Sequence, residues 1–220
     1  MLQPYNLADL AMIEFCKSRA ALVDVQSPRE HYAMQYIHPQ TVVVLGASNI
    51  LEASVYADAC EMDGVPVIKR PSGGEAVVVS SRTLLFTHCL LDRTPPKSAE
   101  IFQENLSYVL RALEAMGVTY LRFNGISDLC IGERKILGCA IYRRPGMALF
   151  QAVLNVDLDP ILIARYLRQP TRMPDYRRNR PHTEFVTSLR SEGYSMAPDG
   201  IDILGVMRAE GVPLSSLPRD

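Results

Sequence analysis

The chain has no long hydrophobic run. Its most apolar stretches, near Val42–Ala47 and Ala148–Val153, fall far short of the roughly 20 residues a helix needs to cross a bilayer. No basic segment precedes an apolar one at the N-terminus, where Asp9 and Glu14 sit among the apolar residues, so no signal peptide is expected. Neither charge is in excess: 23 Lys and Arg against 24 Asp and Glu leave a net charge of −1, which removes any whole-molecule reason to bind nucleic acid or a membrane. Cysteine is sparse. The five, at positions 16, 60, 89, 130 and 139, form no CxxC pair and leave an odd count. That argues against a disulfide framework or a zinc site, and for reduced thiols in a cytoplasmic protein with no resident metal. Repeats and low-complexity segments are absent too. What remains is a chain of 220 residues, 48% hydrophobic and 21% charged, enough to bury a full core in one domain with at most a small appendage.

Glycine and proline punctuate the chain. Asn6 can cap a helix whose apolar face reads Ala8, Ala11, Met12, Phe15 and Cys16. The β-rich run Thr41–Leu45 leads into Gly46-Ala47-Ser48-Asn49, and a helix is expected from about Glu52 to Gly64, a good left-handed terminator. Val65–Ile68 reads as a short strand ending in Lys69-Arg70-Pro71-Ser72-Gly73-Gly74, with strands at Ala76–Val79 and Thr83–Cys89 beyond it. Ser98 should cap a long amphipathic helix carrying Ile101, Phe102, Leu106, Val109, Leu110, Leu113 and Met116, which ends at Gly117. Strands follow at Val118–Arg122, Asp128–Gly132, Lys135–Tyr142 and Met147–Val156, the middle two joined by a tight turn at Gly132-Glu133. The remainder is helical and loop-rich. Strands joined by tight turns, with long helices between groups, imply an α+β domain with a mixed, mostly antiparallel central sheet flanked by helices. The body should occupy residues 1–195, with 196–220 a short helical extension.

Two constellations carry chemistry. In Arg70-Pro71-Ser72-Gly73-Gly74, followed by Glu75 and Ala76, two glycines after a strand let the backbone approach a ligand and present N–H groups as an anion-binding nest. Arg70 adds a positive charge able to pair with phosphate or carboxylate. A Ser-Gly-Gly turn is equally at home as a plain connection, so the loop alone assigns nothing. The second runs from Gly125-Ile126-Ser127-Asp128-Leu129 through Gly132-Glu133-Arg134-Lys135-Ile136-Leu137-Gly138. Period-two alternation puts Lys135 on the same strand face as Leu137, where a lysine is costly unless it meets a negative partner. Either Asp128 pairs with it structurally or a ligand anion does. A third feature, the arginines of the coil Pro170–Pro181, reads as a solvated basic face or as a docking patch for an acidic partner.

In this order and spacing the motifs resemble the catalytic domain of lipoate–protein ligases, in the biotin/lipoate protein ligase superfamily. The resemblance rests on Lys69-Arg70-Pro71-Ser72-Gly73-Gly74-Glu75-Ala76-Val77, on Ser127-Asp128-Leu129, on Gly132–Gly138 and on Leu154-Asn155-Val156-Asp157-Leu158. Pro39–Gly46 and Phe185-Val186-Thr187-Ser188-Leu189 also resemble family segments, so the match spans about residues 4–190. The sequence departs from the pattern in four places. Glu75 stands where the family has a third loop glycine, Ala47 where it has an arginine, Val79-Ser80 where it has His-Asp, and Leu149-Phe150 where it has His-Gly.

The resemblance implies an enzyme that activates lipoate or octanoate with ATP, accompanied by Mg²⁺, and passes the acyl group to a lysine of a lipoyl-carrier domain or a glycine-cleavage H-like protein. In that scheme Lys135 and Asp128 are catalytic. Arg70, Ser72, Gly73, Gly74, Glu75, Ala76, Gly138, Cys139, Asn155 and Asp157 bind substrate or nucleotide. Relatives that transfer octanoyl groups use a cysteine, expected near Met147 or Tyr120, and neither is cysteine. Cys139 follows the alternation of Lys135 and reads better as a residue packed beneath the site. Only about thirty residues follow the match, too few for the family's small accessory domain, so a partner subunit supplies it or the chain performs half of the reaction. The departures also admit a non-catalytic relative that binds an acyl group or a lipoyl domain. A dinucleotide-binding unit starting at Val42–Ser48 is the rival from another class, but its glycines are replaced by Asn49 and Glu52.

Overall fold

Side-chain alternation along the central strands sets the layers of the molecule. The computed structural model describes residues 2–24 and 26–217. Its elements are β1 (Leu2–Gln3), α1 (Leu10–Ala20), β2 (Glu30–Tyr36), β3 (Val42–Leu45), α2 (Leu51–Ser54), α3 (Ala57–Met62), β4 (Val67–Lys69), β5 (Val77–Val79) and β6 (Thr83–Leu91). After them come α4 (Ser98–Ala115), β7 (Leu121–Asn124), β8 (Asp128–Ile131), β9 (Arg134–Arg144), β10 (Met147–Asn155), α5 (Pro160–Tyr166), α6 (His182–Phe185) and α7 (Ile203–Ala209).

The strands divide into two sheets. The larger has six strands in the order β2-β6-β10-β9-β8-β7, antiparallel throughout. The smaller runs β1-β4-β3-β5, with β4 parallel to both its neighbours and β5 antiparallel to β3. Along β10, Ala148, Phe150, Ala152 and Leu154 face one way and join Leu84 and Phe86 of β6 beneath α4 and α7. Met147 and Leu149 face the other way, against Met12, Ile13 and Cys16 of α1. Farther along that side Leu85 and Val153 meet Val42, Val44, Ile68 and Val79 of the small sheet. The outer face of the small sheet is covered by Cys60 of α3 and Ile163 and Tyr166 of α5. Phe150 is fully buried against the rings of Phe86 and Phe102, so its truncation to alanine should cost about 3–5 kcal/mol.

The α+β class and the dominance of antiparallel strands agree with the sequence reading, and several boundaries move for identifiable reasons. The first helix starts at Leu10 and buries Met12, Ile13, Cys16 and Ala20; Asn6 does not cap it, and Ala8 and Ala11 are exposed. The helix expected over 52–64 breaks at Val55, whose extended backbone bridges to Leu167, and Gly64 ends it at φ +66°. Ser98 is the first helical residue of α4, and no side chain caps that helix. Val118 is withdrawn from the strand predicted there because its N–H closes α4 on the carbonyl of Leu113, past Gly117 at φ +84°. Residues 196–217 are knit into the main core. Ile201, Ile203 and Met207 are completely buried, and the Gln35 side chain bonds the backbone of Ile201 and Ile203.

Candidate active site

A β-bulge aims the central lysine. Leu129 pairs with Leu137 but Cys130 pairs with Lys135, so Ile136 is an extra residue in β9. Ile136 and Leu137 consequently both enter the core under α4, and Lys135 is turned to the opposite face, shared with Gly138. This corrects the expectation that Lys135 lies beside Leu137: regular alternation does not survive the bulge. The lysine stem lies across Gly138, where a Cβ would stand 2.7 Å from Nζ and 2.8 Å from Cε. Lys135 Nζ is 2.7 Å from Asp128 Oδ1, and the other carboxylate oxygen accepts a 2.6 Å hydrogen bond from the Tyr176 hydroxyl. Asp128 is only 6% exposed, whereas the lysine side chain is 27% exposed and so reaches a ligand more readily. The Thr187 N–H holds the Lys135 carbonyl at 2.9 Å, which clamps the hairpin backbone.

The glycine loop reaches the same cavities as this cluster through Gly74 and Glu75, and it is shaped by a buried arginine. Arg70 donates to Ser72 Oγ at 3.0 Å and to the carbonyls of Val44 (3.2 Å), Gly73 (2.6 Å) and Glu75 (2.9 Å). Burial lowers its pKa from the usual 12.5 to about 10. Most of its donors are therefore committed to the protein, and Arg70 braces the loop rather than offering its fork to a ligand. That is a correction to the role expected for it. The brace has a consequence for the backbone. In a trans peptide the N–H points opposite to the carbonyl, so carbonyls turned toward Arg70 direct the Gly74 and Ala76 N–H groups away from it. The Ser72 carbonyl accepts from the Ala47 N–H at 2.8 Å and turns the Gly73 N–H outward in the same way. Among the described residues, the N–H groups of Ser72, Gly73, Gly74 and Glu75 meet no protein acceptor, the condition for an anion nest. The neighbouring loop packs so closely that a Cβ at Gly46 would overlap the Gly74 carbonyl oxygen. Glu75, one of the four departures noted in the sequence, is held 3.3 Å from Asn49 Nδ2.

Two cavities meet at this point. Glu75, Ala76, Asp128, Lys135, Gly138 and Arg172 border both. The larger, about 490 Å³, lies between the sheets and is walled by Leu7, Val44, Val79, Leu85 and Val153. Tyr5, Thr87 and Gln151 add a polar group to it, in which Asp9, completely buried, accepts hydrogen bonds from all three at 2.5, 2.7 and 2.9 Å. Gln151 in turn accepts from Ser72 at 2.6 Å, so this network reaches the glycine loop. The smaller cavity, about 150 Å³, combines apolar Ile163, Leu167 and Phe185 with Arg168, Arg177 and His182. Burial, with the nearby charges of Arg177 and Lys135, lowers the His182 pKa to about 4 and keeps the imidazole neutral near pH 7.

Other expected residues are placed less centrally. Cys139 borders the larger cavity but packs mainly on the α4 side, paired with Ala152, and donates its thiol to the Ser127 carbonyl at 2.9 Å; burial raises its pKa well above the usual thiol value. Asn155 borders the small cavity, but its amide is spent on the backbone of Leu158 and Thr187. Asp157 borders neither cavity and pairs with Arg190 at 2.7 Å. The basic segment is no uniform patch either. Arg177 is 4% exposed, bonded to the Arg180 carbonyl and Gln169 and stacked 4.6 Å over Phe185, while Arg165 pairs with Asp63. Of the two arginines at the tip, only Arg178 projects, its side chain 73% exposed. Sequence reasoning missed Tyr176, His182 and the Tyr5–Asp9–Thr87–Gln151 group, because each is assembled from segments far apart in the chain.

The fold and these residues define a class: an α+β domain in which a glycine loop and a lysine-bearing hairpin meet where an apolar and a basic cavity join. The model of the lipoyl protein ligase A/B catalytic domain matches residues 17–202, and the chain belongs to that family. The lipoate-protein ligase LplJ of Bacillus subtilis is 26% identical over 149 residues, 68% of this chain and 42% of that protein. The chain thus spans about two fifths of the length of the curated relatives it matches. Among solved structures, the bi-partite lipoate protein ligase of Thermoplasma acidophilum superposes with a TM-score of 0.76 at 19% identity, covering 99% of this chain and 84% of that one. A lipoate-protein ligase A bound with ATP gives 0.73 at 19% identity, covering 95% and 82%. At these identities the structural likeness establishes the fold.

Proposed function

We propose that this domain activates lipoate or octanoate with ATP and transfers the acyl group to a lysine of a lipoyl-carrier protein. The observation that carries the proposal is the partly exposed Lys135 at the junction of the two cavities, which Gly74 and Glu75 of the glycine loop help to line. The acyl chain occupies the larger cavity, which crosses the sheet from β9 to β2, three strand spacings or about 14 Å. The nucleotide lies on the side of Arg168, Arg172 and His182. In the first step a carboxylate oxygen attacks the α-phosphorus, the bond to pyrophosphate breaks, and an acyl-adenylate forms. In the second, the acceptor amine attacks the acyl carbonyl and AMP leaves with the bonding electrons. In this reading Lys135, with the Gly74 and Glu75 amides, stabilises the negative charge that grows in both steps.

Magnesium is expected to travel with ATP. Among the described residues no group of three His, Cys, Asp or Glu side chains is suited to hold a metal, and both Asp128 oxygens are engaged. The acceptor would be a lipoyl domain or an H-like protein, and an accessory subunit would complete the enzyme; the bi-partite ligase of Thermoplasma acidophilum and its E2 lipoyl domain support the lipoyl domain and the second subunit. A cysteine-based acyl transfer is disfavoured by the raised thiol pKa values of Cys60, Cys89, Cys130 and Cys139. The test is acid-dependent exchange of labelled pyrophosphate into ATP, followed by mass spectrometry of a lipoyl-domain acceptor. Exchange with octanoate or lipoate and a modified acceptor lysine are expected. Tight acid binding without exchange would favour a non-catalytic relative.

A further inference from the structure

The reaction outlined above leaves one group of the hairpin cluster without a role. We propose that Tyr176 is a positioning residue for Lys135: it holds the Asp128 carboxylate when the lysine turns from Asp128 to a bound phosphate or carboxylate. The proposal rests on the reading of Lys135 as the group that meets the ligand anion.

Asp128 is almost wholly buried, and among the described residues Lys135 is the only cation within 4.0 Å of it. If Lys135 follows a ligand, that carboxylate loses its counter-charge, and a buried charge stripped of its partner is strongly unfavourable. A hydrogen bond to the second oxygen, independent of the lysine, offsets part of that penalty and lets Lys135 be shared rather than locked. The Tyr176 hydroxyl makes that bond at 2.6 Å. Its ring is fixed against Phe185, with centroids 5.2 Å apart, and Phe185 is itself buried beneath Arg177 and Arg180. Burial and the adjacent Asp128 push the phenol far above its ordinary ionisation, so it remains a donor. Tyr176 sits in the 3-10 turn Asp175–Arg177, which follows Arg172 and Pro174 on the border of both cavities, so the same bond ties that segment to the lysine hairpin.

The test is calorimetric binding of a non-hydrolysable octanoyl-adenylate analogue, an acyl sulfamate of adenosine. It compares the wild type, Tyr176→Phe, Asp128→Asn and the double variant, each with a melting curve. Tyr176→Phe should weaken binding about tenfold, as expected for a lost hydrogen bond to a charged group. In the Asp128→Asn background the same change should have no further effect, because the tyrosine acts through the carboxylate. The double variant leaves no buried carboxylate unpaired, so the comparison holds even if Tyr176→Phe alone is unstable. An equal loss in both backgrounds would make Tyr176 a packing residue and overturn the proposal, as would unchanged binding in Tyr176→Phe. Failure of the wild type to bind the analogue, or undiminished binding by Lys135→Ala, would instead sink the function proposed above and this inference with it.

Discussion

Lys135 and Arg177 are both cationic, both border the smaller cavity, and the fold uses them in opposite ways. The lysine keeps one partner, Asp128, and a side chain 27% exposed at the cavity junction. The arginine is 4% exposed, its guanidinium spread over a carbonyl, an amide and an aromatic ring. Arg70 repeats the second pattern within the glycine loop itself. A positive residue near a site can serve a ligand only if its donors are not already committed, and of these three cations Lys135 alone meets that condition.

Lys135→Met offers the sharpest way to break this contrast. On the mechanism proposed above it removes the charge that meets the developing anion, while keeping the stem that lies over Gly138. Acyl-adenylate formation should fall at least 100-fold, about 3 kcal/mol of transition-state stabilisation, with the protein still folded. Initial rates beside a thermal melt decide it, and near-normal turnover would remove Lys135 from the mechanism. Arg177→Glu should do the reverse. It puts a carboxylate where a buried guanidinium was bonded, so stability should drop by about 3 kcal/mol, taking adenylation and transfer down together. Denaturant unfolding that matches the wild type would show Arg177 to be a surface residue.

Groups that the fold keeps neutral extend the comparison. His88 is sealed between His31 and Asn105, at 3.1 and 2.7 Å, and burial lowers its pKa to about 4. Because the folded value lies below the unfolded 6.5, the unfolded chain binds the extra proton between those limits. Stability should therefore be full above about pH 6.5 and decline by up to roughly 3 kcal/mol as pH falls toward 4. His182 and His31 shift in the same direction and add to the slope. Chemical denaturation across this range checks the sign, and stability that rises on acidification would refute it. The smallest effect belongs to Arg178→Glu. Its nearest carboxylate, Glu133, is 4.0 Å away and both side chains are well exposed, so folding should change by less than about 1 kcal/mol. Association with an acidic carrier should slow at low salt and recover at high salt, visible in stopped-flow traces. No change at either salt concentration would make Arg178 part of a plain solvated face.

Much of this was legible in the sequence where local rules prevail. Gly64 and Gly117 end their helices as left-handed residues, Gly132 turns the hairpin, and the glycine loop stands between strands. The site was legible only in part. Lys135 and Asp128 were found together because the turn at Gly132 brings them together, but the face of the lysine was misread: one bulged residue cannot be seen in a period-two pattern. Arg177 could not be separated from Arg178 either, since a coil without periodicity gives no sign of which side chain turns inward. Tyr176 and the Asp9 network come from distant segments, and only tertiary packing joins them.

The most direct test of the central claim is a crystal structure of the protein with a non-hydrolysable octanoyl-adenylate. The acyl chain should lie between the two sheets and the adenosine on the Arg168 and His182 side. The phosphate mimic should lie within hydrogen-bond distance of Lys135 Nζ and the Gly73–Glu75 amides, while Arg70 keeps its bonds to the Gly73 and Glu75 carbonyls. An analogue held by Arg70 or Arg177, with Lys135 still engaged only by Asp128, would contradict it.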